Sequence, residues 1–229
     1  MISNRIKSII IKIKGLIPLG IKTYLKKLRD FNGYNQLDLK MLKYINYKNG
    51  FFIECGANDG VNQSNTWYFE KKLNWKGILI EPVKTVFEKL KKNRSSNNYF
   101  FNNILTSSTN KRKFIKMIYN NKDTLVTKSE YKPNTRKFYI NAKTKTLNRI
   151  LDKIKAPKKI DFFSLDVEGD ELNVLKGIDF KRYHFLYILI ETNQFYKIQK
   201  FLQRKYKFEA KLSDGDYLFK YRNYIKLTK

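Results

Sequence analysis

Residues 50–82 confine this chain to a small set of folds. They read Gly50-Phe51-Phe52-Ile53-Glu54-Cys55-Gly56-Ala57-Asn58-Asp59-Gly60, then a stretch of helical character, then Lys76-Gly77-Ile78-Leu79-Ile80-Glu81-Pro82. A short apolar run ends in an acid and a glycine turn, a helix follows, and a second apolar run ends in another acid. This is a strand–turn–helix–strand unit.

A glycine turn after a strand is often only a turn, so the glycines alone decide nothing. The acids add more. Glu81 lies 21 residues after Gly60 (81 − 60), about where nucleotide-binding folds set a carboxylate on ribose hydroxyls. A dinucleotide site needs a helix N-terminus open to pyrophosphate, yet Glu54 and Asp59 flank this turn and repel phosphate. A ligand with ribose hydroxyls and a positive centre fits better, and S-adenosylmethionine, with its sulfonium and ammonium groups, has both.

The rest of the chain repeats the strand-then-helix rhythm. Helices are expected at 36–47, 63–73, 83–92, 147–154, 171–176 and 195–206, with Ser64 near one N-terminus and Gly177 closing another. Strands are expected at 99–105, 114–119, 138–142, 160–169 and 187–191, and 208–212 with 217–221 reads as a hairpin across Ser213-Asp214-Gly215. Alternation of this kind predicts an α/β fold with a mostly parallel sheet and an antiparallel edge. Eight of the 20 acids stand at or just past predicted strand ends: Glu54, Asp59, Glu81, Asp166, Glu168, Asp170, Glu171 and Glu191. That edge is where open α/β sheets bind ligands. The ordinary alternative, acids that open helices, suits Asp170 and Glu171 but not Glu54, Glu81 and Glu191, which end strands.

Charge shapes the choice of partner. The net charge is +28 over 229 residues, which admits RNA, DNA or an anionic membrane face. The lysines are scattered along the chain, so the first reading is a surface-wide coat, with nucleic acid as the alternative. The single cysteine, Cys55, excludes a disulfide framework and cysteine-cluster metal sites. Residues 1–35 form a basic, amphipathic helical segment preceding a domain at 36–229. Its lysines interrupt the apolar run too often for a membrane span, and it has no signal-peptide pattern. The expected location is therefore the cytoplasm, with residues 1–28 suited to lie peripherally on an anionic membrane or to cap the domain.

The block Glu54-Cys55-Gly56-Ala57-Asn58-Asp59-Gly60, with Ser64-Asn65-Thr66, Glu70, Trp75-Lys76-Gly77 and Ile80-Glu81-Pro82, resembles the FkbM-type methyltransferases. The Ser-Asn-Thr and Trp-x-Gly elements are most similar to the branch that includes Star-like proteins. So is Glu54, where the family usually has Asp. A second block, 164–172 followed by Val174-Leu175-Lys176-Gly177, resembles the family's second signature, and Ile190-Glu191 fits its next strand. The resemblance implies a class I methyltransferase fold, Rossmann-like, with seven mostly parallel strands and an antiparallel C-terminal hairpin. It implies S-adenosylmethionine held by Glu54, Gly56, Ala57, Asn58 and Gly60, with Glu81 on the ribose hydroxyls, Asn103 toward the adenine and Asp166 facing the methyl group.

The expected reaction is O-methylation of a hydroxyl on a sugar, glycan or small metabolite. Such an acceptor must lose a proton, and Asp166, Glu168 and Glu191 are the candidate bases. The alternative is that they hold a divalent cation such as Mg²⁺. His184, the lone histidine, reads first as a packed or surface residue. Two other functions stay open: an RNA methyltransferase or RNA-binding module using Tyr131, Lys132 and 136–139, and a catalytically inactive, membrane-associated protein that keeps the fold.

Overall fold

The computed structural model describes residues 30–119 and 138–223. The chain divides into two compact units, Met1–Phe31 and Asn32–Lys229, and the second carries everything below. The segment expected at 1–35, with its membrane reading, lies almost wholly outside the described residues. The division falls before the expected boundary at 35. Residues 32–36 belong to the domain because Asn32 donates its N–H to Asp38 (2.7 Å) and Gly33 bridges to Gln63.

Seven strands form the main sheet, in the order β3-β2-β1-β7-β8-β10-β9. They are β1 (Phe51–Cys55), β2 (Lys76–Ile80), β3 (Tyr99–Phe101), β7 (Lys159–Leu165), β8 (His184–Glu191), β9 (Tyr206–Lys211) and β10 (Asp216–Tyr221). All neighbours pair in parallel except β10, which runs antiparallel to both β8 and β9. The antiparallel strand therefore lies one place in from the edge, and β9 is the edge. The central strands are apolar almost throughout because helices cover both faces. One core packs Ile53, Cys55, Phe163 and Ile188 against α4 (Leu147–Lys153), α5 (Glu171–Leu175) and α6 (Phe195–Leu202). The other packs Phe52, Leu79 and Phe162 against α1 (Leu37–Met41), α2 (Trp67–Leu73) and α3 (Lys84–Asn93).

Three expectations are corrected. The run 99–105 is not one strand: Asn102 donates to the carbonyls of Glu81 and Pro82 (2.8 and 2.9 Å), turning the chain out of the main sheet. The following β4 (Ile104–Leu105) joins a second sheet, β4-β6-β5, with β5 (Phe114–Tyr119) and β6 (Phe138–Lys145). Second, α2 starts at Trp67, not 63, because residues 64–66 spend their polar groups on Glu54. Third, Gly177 has no left-handed φ. It is small because a Cβ there would stand 2.3 Å from the Thr106 carbonyl oxygen.

Candidate active site

Strand register builds the site. Cys55 pairs with Ile80 on one side and Leu165 on the other, and Leu165 pairs with Ile190. The next residues along these four strands are Gly56, Glu81, Asp166 and Glu191, so they share one rim at the strands' C-terminal ends. Between β1 and β7 the strand order reverses, and in such sheets that is where the ligand crevice opens.

The glycine turn is locked to its neighbours. The N–H groups of Gly56 and Ala57 both donate to the Ile80 carbonyl (3.1 and 3.0 Å) and that of Asn58 donates to Glu81 Oε2 (3.1 Å). These amides are taken, and α2 begins seven residues after Gly60, so the turn offers no phosphate cradle. Gly56 has φ +78°, and a Cβ there would lie 1.9 Å from the Asp166 carbonyl oxygen. Gly56→Ala is thus expected to cost about 2–3 kcal/mol or more, left-handed strain plus a backbone clash, as read by urea denaturation. A loss below about 0.5 kcal/mol, the size of a surface substitution, would show that the crossing is not tight. Of the expected cofactor-lining residues, Gly56 is exposed and Asn58 half-buried, while Ala57 and Gly60 are buried. Asp59 braces the turn by accepting from the N–H groups of Val61 and Asn62.

Glu81 ends β2 with 1% exposure. Its oxygens accept from the Val83 N–H (2.8 Å) and the Asn58 N–H (3.1 Å), leaving an acceptor position on each. Burial outweighs those two hydrogen bonds and lifts its titration to about 7.

Glu54 points away from the rim. Its side chain lies on the α2–α3 face and takes Ser64 Oγ (2.9 Å), the Asn65 N–H (2.6 Å), Thr66 Oγ1 (2.6 Å) and Arg94 Nη1 (3.3 Å). The carboxylate is occupied by its own chain, so what it holds is the 64–66 segment. Arg94, whose side chain is fully buried, also binds Glu70 Oε2 (2.6 Å), the Gly60 carbonyl, Ser64 and Thr66. Sequence reasoning passed over it. The available signal was an arginine closing a helix whose other cations are all lysine, the exchange expected where a fork of donors is needed.

Asp166, Glu168 and Glu191 do come together. Burial first, then the charges of Glu191 and Glu168 and a hydrogen bond with Glu191, push Asp166 well above the usual carboxylate range. Glu191 is exposed on the rim, and Glu168 sits in a left-handed turn with Gly169 (φ 56° and 97°). Asp216 joins them as a residue the sequence did not single out. At the start of β10 it pairs with Glu191 of β8, and burial, followed among the raising causes by the Glu191 charge, lifts its titration too. Only the hairpin register shows this.

Of the expected site residues Asn103 stands elsewhere, and His184 is packed away from the rim, in line with its first reading. Asn103 is buried and donates Nδ2 to the Lys143 carbonyl (3.0 Å), tying the second sheet down. His184 opens β8, about 23 Å of extended chain from Glu191, and stacks on Tyr221 at 4.9 Å. No group of three His, Cys, Asp or Glu among the described residues is placed to hold a metal ion, so no residue is assigned to Mg²⁺. A cleft of about 600 Å³ opens beside Gly50, Trp75, Lys76 and Asn98. It lies at the opposite ends of the strands, and its carboxylate, Glu70, is spent on Arg94.

The model of the methyltransferase FkbM domain matches residues 54–219. The chain belongs to this family. Both signature blocks lie within the match, as do Gly56, Glu81, Asp166 and Glu191. Among solved structures, methyltransferase FkbM from Methylobacillus flagellatus KT is similar at 16% identity and TM-score 0.46, over 76% of this chain and 44% of its own. The fibrillarin/Nop5p complex is similar at 11% identity and TM-score 0.46, over 84% and 82%. The chain thus spans less than half of the Methylobacillus protein. No curated protein matches it. No helix among the described residues is long and apolar enough to cross a membrane.

Proposed function

We propose that this FkbM-family chain is an S-adenosylmethionine-dependent O-methyltransferase acting on a hydroxyl of a sugar, glycan or small metabolite. The observation that carries the reading is the rim itself: Gly56, Glu81, Asp166 and Glu191 side by side, with the charges of Glu191 and Glu168 repelling that of Asp166. A ligand with a positive centre relieves that repulsion, and Glu81 keeps acceptor positions for a ribose diol. The residues present therefore fit the cofactor.

Bound S-adenosylmethionine supplies a methyl group on a sulfonium for in-line transfer. Much of the acceleration in such a displacement comes from holding the partners in line, and the exposed backbone at Gly56 lets a ligand approach the strand ends closely. The acceptor hydroxyl's proton goes to the Asp166–Glu191 pair. Burial and the neighbouring acid charges raise the proton affinity of the ionised Asp166 carboxylate, which suits it to act as a base near neutral pH.

Calorimetric titration with S-adenosylmethionine tests the reading. One-to-one binding is expected, tightening as pH rises through about 7. Below that value Glu81 holds a proton that the ribose hydroxyls must displace, so affinity changes by up to about tenfold per pH unit. Absence of binding between about pH 6 and about pH 8 sinks the proposal. Binding with no pH dependence removes Glu81 alone.

A further inference from the structure

The second sheet turns one face inward and leaves the other open. Met117 and Ala142 pack inward on Ile104, with Ile115 and Ile140 beside them. Alternation along the strands sends Phe114, Lys116, Tyr139, Asn141, Lys143 and Lys145 to the opposite side. Register confirms the shared face, since Phe114 pairs with Lys143 and Lys116 with Asn141. Phe114 is 57% exposed and Tyr139 53%, while Lys116, Asn141 and Lys143 are also exposed.

Among the described residues, Lys116 and Lys145 of this face lie over rings and make no ion pair with a carboxylate, and Lys153 of α4 lies beside Lys145. Lys116 Nζ sits 4.3 Å from the Tyr139 ring centre, and Lys145 and Lys153 crowd the Phe101 ring at 5.3 and 5.9 Å. Residues 106–119 and 138–151 contain seven Lys or Arg and no Asp or Glu. Partial burial, then the charges of Lys153 and Lys143, pull Lys145 below its ordinary titration, the mark of cations held together without a counter-charge. Positive charge therefore runs through these two stretches with no acid in either.

We propose that this open face binds single-stranded nucleic acid, with the phosphate backbone on Lys116, Lys143 and Lys145 and bases stacked on Tyr139 and Phe114. Exposed rings interleaved with lysines on one sheet face supply the two contacts such a strand needs, stacking and charge. A membrane surface fits less well, because binding there grows with inserted apolar area and this face offers two separated rings among polar side chains. The inference does not depend on the methyl acceptor.

The test is fluorescence anisotropy of the full chain with a labelled polyuridine oligonucleotide about 16 nucleotides long, between about 50 and about 200 mM salt. Lys116→Glu combined with Lys143→Glu is expected to weaken binding by about tenfold or more and to flatten the log–log salt slope by roughly 1.4, two phosphates' worth for a single strand. Tyr139→Ala is expected to weaken it at least about fivefold through lost stacking. The control pair Lys89→Glu with Lys181→Glu, exposed on other elements, changes it little. Equal losses in the control pair overturn the proposal. So does retention of polyuridine binding by the sheet variants, or a loss confined to anionic phosphatidylglycerol vesicles.

Discussion

Arg94→Met is expected to destabilise the domain by about 3–5 kcal/mol, the cost of leaving buried charges without their partner. Two carboxylates, Glu54 and Glu70, converge on this guanidinium with at most 5% side-chain exposure. Ser64 and the Gly60 carbonyl accept from Nη1 and Thr66 from Nη2, and Phe52 stacks beneath the guanidinium at 5.3 Å. Domains of ordinary stability have about 5–15 kcal/mol in total, so the variant should stand near its unfolding threshold. Denaturant midpoints at fixed slope measure the loss. Arg94→Lys keeps the charge but not the fork and should recover only part of it. Adding Glu54→Gln and Glu70→Gln to Arg94→Met should restore stability by removing the stranded charges, a coupling that a mutant cycle isolates. A single-variant loss under about 1 kcal/mol would mean that the cluster is solvated after all.

The second large effect belongs to chemistry. Asp166→Asn and Glu191→Gln are each expected to lower turnover by about 10²–10⁴-fold, the range for removing a general base. Labelled methyl transfer into a glycan and metabolite extract measures it. The Asp166 change carries its own control for folding. A carboxyl whose folded titration is raised adds most to stability below its unfolded value, and that contribution is lost as pH climbs through the folded one. Asn has no proton to lose, so Asp166→Asn should melt no lower than the parent at acidic pH and progressively higher as pH rises. Unchanged turnover would remove Asp166 from the reaction. A melting temperature that falls at every pH would show that the carboxyl is structural.

The sheet was legible wherever strand ends carried both an apolar run and an acid. Phe51–Cys55, Lys76–Ile80, Lys159–Leu165 and His184–Glu191 all match expected strands, with boundaries shifted by a few residues. Register follows from those runs, and it is what turns Glu81, Asp166 and Glu191 from separate motifs into a row. Illegible features depend on contacts between residues far apart in sequence. Ser64 to Thr66 look like the first turn of a helix until Glu54 claims them. Asn102 and Asn103 look like the middle of a strand until their amides bind Glu81, Pro82 and Lys143. Glu54 reads as a rim residue because it ends an apolar run, but it pairs with Leu79 and Ser164, two residues back from the rim, and its carboxylate is taken by residues 64–66 and Arg94. Arg94 carries only the faint signal of an arginine closing a helix of exposed lysines, and its depth shows only once Glu54 and Glu70 converge on it. Clustering of charge on β5 and β6 was hidden because only strand alternation separates Lys116 and Lys143 from the buried Met117 and Ala142.

The slot occupied by β10 has a consequence for biosynthesis. As the polypeptide leaves the ribosome, β9 emerges before β10 and has nothing in the main sheet to pair with, while β8 still shows a bare flank. The sheet is complete only with residues 216–221, which lie between β8 and β9 and pair with both. Glu191 has Asp216 as its neighbour only when β10 is in place, so this part of the acid rim requires the chain through residue 216.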